Sequence, residues 1–272
     1  MKILFSLLLL TFTFTCFAQL EHKQRCYQEE WLAEMEESDP EYIKQIKKSF
    51  KHFKKNKNST ERVTVTIPVH VIIVHPTGQA IGTGSNHSLA HVQSQIDVLN
   101  QDFGRYNSDA GNTPPEFPAA NTGIQFCLAT VDPDGNPTDG ITRYAFDGAF
   151  HPNASAIRAE TRWPRESYSN IWSAPNLPYL GLASVPSTFA LPSPNNDFIH
   201  VDAATFGGPG FATFPNYNLG RTTTHEMGHW LGLFHVWGGG GCGSDDNIDD
   251  TPIQNGWGCN ADCSCGASAR RR

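Results

Sequence analysis

The chain has 272 residues, which is enough for one domain of moderate size and a small additional segment. A hydrophobic content of 39% and a charged content of 17% are ordinary for a globular protein. The net charge of −7 and the pI near 5.8 argue against a nucleic-acid partner.

Residues 1–18 have the pattern of a secretory signal peptide. Lys2 supplies the positive charge, residues 3–14 form the apolar core, and small residues precede Gln19 as a cleavage site. The apolar core is too short for a membrane span, and residues 13–15 fit a lipoprotein attachment site poorly. We therefore expect a secreted, extracellular protein that leaves the membrane after cleavage and enters an oxidising compartment, where disulfides form.

Residues 19–60 differ from the rest of the chain because they are rich in Glu and Lys and poor in Gly. Their apolar residues recur at roughly helical spacing, and Pro40 is expected to separate two short helices. Residues 54–60 are polar and predict a linker. We interpret residues 19–60 as a propeptide that lies apart from the core of the domain.

Residues 61–272 carry the pattern of an α/β domain. Runs of β-branched and apolar residues predict strands over residues 63–74, 124–131, 141–146, 182–185 and 198–201. Apolar residues at helical spacing predict a helix over residues 88–103, with Ser88 as its N-cap, that packs on the sheet. Residues 163–180 give few regular signals beyond the apolar pair Ile171-Trp172.

The most specific pattern in the chain is the run from His225 to His235, which reads H-E-x-x-H-x-x-G-x-x-H. Residues four apart share one face of a helix, so His225 and His229 can present their imidazoles to one zinc ion. Gly232 allows the chain to leave the helix in a conformation that other residues adopt at a cost, and His235 returns as a third ligand. Three protein ligands leave one zinc position open for water, beside Glu226, which is typical of a catalytic site.

The alternative interpretation of this run is a helix with scattered histidines. From average residue usage, five fixed positions co-occur by chance in roughly one chain of this length in ~10^5. We therefore favour the zinc site.

Cys26 lies in the predicted propeptide. A cysteine in such a segment can donate its thiolate to zinc, displace the water and keep a protease latent. The alternative is a cysteine that pairs elsewhere or has no role.

Two further groups lie after the third histidine. Four cysteines crowd the last part of the chain, where irregular spacing favours disulfides over a second zinc site. Asp245, Asp246, Asp249 and Asp250 follow a glycine-rich run and are either a calcium site or a solvated acidic loop; their spacing does not match an EF-hand.

The chain resembles the pappalysin (cytophagalysin) family of metzincin zinc peptidases over about residues 63–265. The zinc motif is the metzincin pattern. Further segments follow in the family's order: 67–71 (IPVHV), 93–103 (QSQIDVLNQDF), 124–129 (IQFCLA), 220–224 (GRTTT), Trp230-Leu231, Trp237-Gly238 and 250–252 (DTP).

The resemblance implies an α/β fold: a twisted mixed sheet, a backing helix, a zinc-binding active-site helix and an irregular C-terminal subdomain. It implies a secreted zinc metalloendopeptidase made as a zymogen, with Glu226 as general base and Cys26 as the latency cysteine. A protein or peptide substrate is expected along an edge strand at Leu182, Ala183 and Ser184. The family also implies calcium in the acidic loop, which extends to Thr251, and a disulfide between Cys242 and Cys265.

The chain departs from the family pattern after His235, where it has no methionine and no tyrosine. The family's Met-turn is therefore expected to be missing and the C-terminal subdomain to be cut short. The alternative function is then a truncated, inactive homologue that binds zinc and peptide, and a third possibility is a natural chain that continues past Arg272. The sequence gives no prediction of oligomeric state.

Overall fold

The structure is a computed structural model that describes residues 23–55, 64–115, 119–186, 196–238, 246, 248 and 250. Its strands are β1 (Gln24–Cys26), β2 (Val65–His75), β3 (Ile124–Leu128), β4 (Ile141–Ala145), β5 (Ser169–Ala174), β6 (Tyr179–Ala183) and β7 (Ile199–Asp202). Its helices are α1 (Gln28–Ser38), α2 (Pro40–Lys55), α3 (Leu89–Gly104), α4 (Phe150–Thr161) and α5 (Arg221–Trp230), with a short 3-10 turn at Ala110–Asn112.

The described strands form one mixed sheet in the order β1-β6-β7-β5-β2-β3. The long central strand β2 pairs with β5 on one side and, on its other side, with β3 through its first half and β4 through its second. All pairs are parallel except β6 with β7. The predicted α/β fold with a mixed sheet is confirmed.

The backing helix α3 forms where the periodicity predicts it. The side chain of Ser88 accepts a hydrogen bond from the backbone N–H of His91, which satisfies a free donor of the first turn. Val92, Ile96 and Leu99 are fully buried against the sheet, in a core that also contains residues of β2, β5, β7 and α5.

A second core covers the opposite face of the sheet and includes α4, which is not among the predicted elements. This helix is rich in small and polar residues, so its sequence lacks a strong amphipathic pattern. Pro152 would normally argue against a helix, but it lies in the first turn, where a missing N–H costs nothing.

Helices α1 and α2 are separated at Pro40, as predicted. They also pack into the core beside α4, so for these two described helices the expectation of a segment apart from the core is wrong. Trp31 meets Phe198 edge to face at 5.5 Å between ring centroids, and the hydroxyl of Tyr42 donates to the carbonyl of Val185 at 2.6 Å. An amphipathic helix must bury its apolar face, and here the face is buried on the domain itself.

The predicted strand at residues 182–185 is displaced, because the observed β6 begins three residues earlier and ends at Ala183. Within the described residues, no helix has the length and apolar character needed to cross a bilayer.

Buried histidines generate a testable prediction about acid stability. His70 is held between Asn170 and Thr142, and His87 contacts the hydroxyl of Ser173 at 3.0 Å. Burial lowers the pKa of His70 to about 4 and that of His87 to about 3, because the interior disfavours the imidazolium. The unfolded chain takes up protons near pH 6.5 and the folded chain does not, so stability present above pH 6.5 is lost as the pH falls toward 4.

We expect the free energy of unfolding, measured by urea titration, to fall by ~1.4 kcal/mol per pH unit below 6.5 for each such histidine. The variant His87→Gln removes one group that takes up a proton in the unfolded chain. The unfolding free energy of this variant should therefore fall less steeply with pH, by that amount. Identical pH slopes for the variant and the wild type would contradict this account.

Candidate metal centre and active site

Helix α5 is fixed by contacts from the backing helix. The side-chain amide of Gln95 donates to the carbonyl of Gly220 at 3.0 Å, just before the first residue of α5. The hydroxyl of Thr224 donates to Asp102 at 2.8 Å, and Arg221 forms an ion pair with Asp109. These contacts set the position and rotation of the helix that carries the first two predicted ligands.

The three predicted histidine ligands converge. The Nε2 atom of His225 lies 2.9 Å from Nε2 of His229 and 3.2 Å from Nε2 of His235. The chain leaves α5 through Gly232, whose φ of +101° lies in the region that favours glycine. Hydrogen bonds from Gly232 N to His229 O and from Leu233 N to Gly228 O close this turn and bring His235 back toward the helix.

The donor set fits a zinc ion. Tetrahedral zinc with Zn–N bonds of about 2.0–2.1 Å places two ligand nitrogens about 3.3 Å apart, close to the spacing observed. Desolvation of its ring lowers the pKa of His225 to about 4, although the residue as a whole is exposed, and burial lowers that of His229 to about 2, so both imidazoles are neutral near pH 7, as metal ligands must be. His229 also donates from Nδ1 to the carbonyl of Leu233 at 2.7 Å, which leaves its Nε2 free to bind a metal.

Cys26 reaches the same point from the other end of the chain. Its Sγ lies 3.5 Å from Nε2 of His229, and the sulfur and the three histidine nitrogens all lie within 4.8 Å of one another. A zinc ion bound by both groups would place sulfur and nitrogen about 3.6 Å apart. Burial raises the pKa of the Cys26 thiol, aided by the nearby Glu226 carboxylate, whereas a bound cation reverses this effect and deprotonates the thiol.

Glu226 lies beside the histidines and is completely buried. Its Oε2 lies 3.9 Å from the Cys26 thiol, whereas Oε1 has no hydrogen-bond partner among the described residues. Burial raises the pKa of this carboxyl well above its usual range. The unsatisfied oxygen fits a group that exchanges protons with a ligand at the centre.

Gly181 is a site residue that the sequence did not reveal. A Cβ at this position in β6 would overlap the carboxylate of Glu226, so any larger residue would force that side chain out of its present position. A glycine inside an apolar strand is the one signal that was available.

The strand edge at which a substrate was expected, that of β6, is paired with β1. β1 pairs in parallel with β6, with Cys26 opposite Gly181, so β6 is not the edge of the sheet in this chain. Leu182, Ala183 and Ser184 are all buried, and their side chains belong to the core and to a hydrogen bond with Phe198. These residues can therefore meet a ligand only through the backbone of the strand.

The segment around β1 has further anchors. The ammonium of Lys23 lies 2.6 Å from the buried carboxylate of Asp202, and the ring of Tyr27 stacks on Tyr179 at 5.3 Å. Contacts on both sides of Cys26 thus hold the sulfur in place.

Several predicted residues lie outside the described residues: Asp245, Asp249, Thr251, Cys242 and Cys265. Of the acidic loop, Asp246 is buried and accepts a hydrogen bond from the backbone N–H of Ile248 at 2.9 Å, and Asp250 is exposed. The calcium site and the disulfide stay predictions.

Comparison with known proteins agrees with this geometry. The family model described as "Pregnancy-associated plasma protein-A", of peptidase family M43, matches residues 153–268. A promirolysin mutant of Tannerella forsythia has 33% sequence identity and a TM-score of 0.76, over 89% of this chain and 83% of that chain.

The chain belongs to the pappalysin family of metzincins.

Other pappalysin relatives are similar over less of their length. Mature mirolysin in complex with a cleaved peptide has 37% identity and a TM-score of 0.65, over 76% of this chain and 81% of that chain. Extracellular metalloproteases of Colletotrichum graminicola and Verticillium alfalfae are 30% and 32% identical, over 74% and 72% of this chain. The chain spans only 64% and 61% of the length of these two curated relatives.

Gly232 generates a prediction for the metal centre. Gly232→Ala should cost about 1–2 kcal/mol of stability because of its positive φ, and it should also weaken zinc binding because the turn that delivers His235 shifts. Gly78→Ala is the matched control, since Gly78 also has a positive φ but has nothing within 4 Å of its added Cβ. Calorimetric zinc titration and thermal unfolding would measure both effects. Equal zinc affinity in the two variants would argue against the role of this turn.

Proposed function

We propose that the chain is the latent precursor of a secreted zinc metalloendopeptidase that hydrolyses peptide bonds in proteins. The observation that supports this most strongly is the convergence of three imidazole nitrogens beside a buried glutamate with an unsatisfied oxygen. Family membership supports the same class of activity, because the curated relatives are named extracellular metalloproteases.

His225, His229 and His235 would hold the zinc ion, which in such a site makes water acidic near neutral pH and polarises a carbonyl. Glu226 would take the proton of the attacking water at Oε1 and pass it to the leaving amine. Glu226 lies beside the three histidines, and its Oε1 has no hydrogen-bond partner among the described residues, so this oxygen is available for that role.

A substrate would bind along the outer edge of β6, where it would replace β1. The backbone groups of β6 now pair with β1, and the same groups can pair with an extended peptide once β1 has left. The buried side chains of Leu182 and Ala183 would keep the strand in place.

The segment from Lys23 to Lys55, which we call the pro-segment, would keep the enzyme latent. Its strand β1 pairs with the edge along which a substrate would bind, and Cys26, whose Sγ lies 3.5 Å from Nε2 of His229, would take the place of water at the metal. Full activity would therefore require removal of the pro-segment, and loss of the Cys26 sulfur alone would relieve part of the inhibition.

Secretion is supported by the signal-peptide pattern of residues 1–18 and by the names of the fungal relatives. Calcium in the acidic loop and a Cys242–Cys265 disulfide, both implied by the family resemblance, would stabilise the region after the third histidine.

Replacing Glu226 tests the mechanism. After removal of the pro-segment, Glu226→Gln should retain one zinc per chain and lose at least ~10²-fold in the rate of cleavage of an unfolded protein, because the amide cannot accept a proton. Glu37→Gln makes the same change on an exposed turn of α1, is removed with the pro-segment, and so controls for expression and folding of the precursor. Full activity in the Glu226 variant would refute the assigned role, and zinc-loaded wild type without hydrolysis would favour a non-catalytic binding protein.

Replacing Cys26 tests latency. Cys26→Ala should make the precursor active or self-processing, measured by gel electrophoresis during purification and by cleavage of a quenched peptide. Cys127→Ala is the matched control, because Cys127 is exposed on β3 and away from the metal centre. A Cys26 variant as latent as the wild type would show that the cysteine is not the switch.

A further inference from the structure

Glu29, in the first turn of α1, contacts the metal centre from the pro-segment. Its Oε1 accepts a hydrogen bond from Nδ1 of His235 at 3.1 Å and another from Nε1 of Trp237 at 2.5 Å. The ring of Trp237 stacks on His235, with 4.4 Å between centroids and 21° between planes. One carboxylate oxygen therefore holds a stacked histidine–tryptophan pair.

We propose that Glu29 is a positioning residue for the metal centre of the precursor, and that the pro-segment thereby strengthens zinc retention. This inference rests on the proposed function, since it concerns the same zinc site. By accepting a hydrogen bond from Nδ1–H, Glu29 fixes the tautomer of His235 in which Nε2 is free to bind the metal. A carboxylate in this position also fixes the ring orientation and makes the imidazole a stronger ligand.

The comparison with His229 supports this role. His229 obtains its Nδ1 acceptor from the carbonyl of Leu233, four residues further along the chain and within the same turn. His235 takes its acceptor from a residue 206 positions away, in a segment that the proposed enzyme loses. The His235 side chain is only 3% exposed, so water has little access to replace that acceptor while the pro-segment is in place.

The local chain geometry couples this contact to Cys26. Cys26 is the last residue of β1, its neighbour Tyr27 donates from its backbone N–H to the carbonyl of Gly181 at 3.2 Å, and α1 begins at Gln28. Within four residues, the pro-segment thus delivers a sulfur ligand and an acceptor for the third histidine. Its removal takes away both, so zinc is held more firmly in the precursor than in the processed form.

The test measures zinc release from the full-length, zinc-loaded chain after addition of excess chelator, with gel electrophoresis to show that the chain stays intact. Glu29→Ala should release zinc 10–100-fold faster than the wild type, the range typical for losing a partner of a metal-bound histidine. Glu29→Gln should show a smaller effect, because its amide oxygen still accepts one hydrogen bond. Glu37→Ala, on an exposed turn of the same helix, should match the wild type.

A second measurement separates positioning from simple docking of the pro-segment. In ¹⁵N-labelled, zinc-loaded protein, the Nδ1–H resonance of His235 should move upfield in Glu29→Gln and be lost or shifted further in Glu29→Ala. It should stay in place in Lys23→Ala, which loosens the pro-segment at Asp202 without touching His235.

Each outcome decides a specific point. Equal zinc release by Glu29→Ala and Glu37→Ala would overturn the inference, and so would faster release with an unchanged His235 resonance. A wild-type chain that binds no zinc would instead contradict the proposed function.

Discussion

Three imidazoles direct their Nε2 atoms at one point, with all three nitrogens within 4.8 Å of one another, and a cation at that point can bind all three. That arrangement is the constraint on which the rest of the structure depends. The helical spacing of His225 and His229 supplies two of the nitrogens, and the glycine at 232 permits the turn that supplies the third. Hydrogen bonds from the backing helix α3 hold the first turn of α5 in place. The packed sheet and helices therefore fix the position of the histidines.

The pro-segment packs on the same sheet and covers the histidine cluster. A three-residue strand pairs with β6, places the sulfur of Cys26 beside the histidines and covers Glu226. The two helices that follow bury their apolar faces on the sheet, so β1 is held by a core as well as by its backbone hydrogen bonds. In the proposed function this segment later leaves, and until then contacts spread over a wide area keep it in place.

Local features of the site and fold were predictable from the sequence, and long-range ones were not. The spacing of the zinc motif follows from helix geometry, and the periodicity of β2 and α3 follows from burial on one sheet, so both were predicted close to their observed places. Strand β1 has three residues, too few to show a period, and α4 lacks a strong apolar stripe. The contacts of Gly181 with Glu226 and of Glu29 with His235 join residues 45 and 206 positions apart. No local pattern encodes such pairs. The approach of Cys26 to the histidines was one of two alternatives that the sequence left open, and the family resemblance favoured it.

The most direct test of this account is the zinc content of the purified full-length chain, measured by atomic emission after metal loading and dialysis. We expect one zinc ion per chain in the wild type and a substoichiometric amount when His225, His229 and His235 are replaced by alanine together. Failure of the wild type to take up stoichiometric zinc, or a full zinc load in the triple variant, would contradict it.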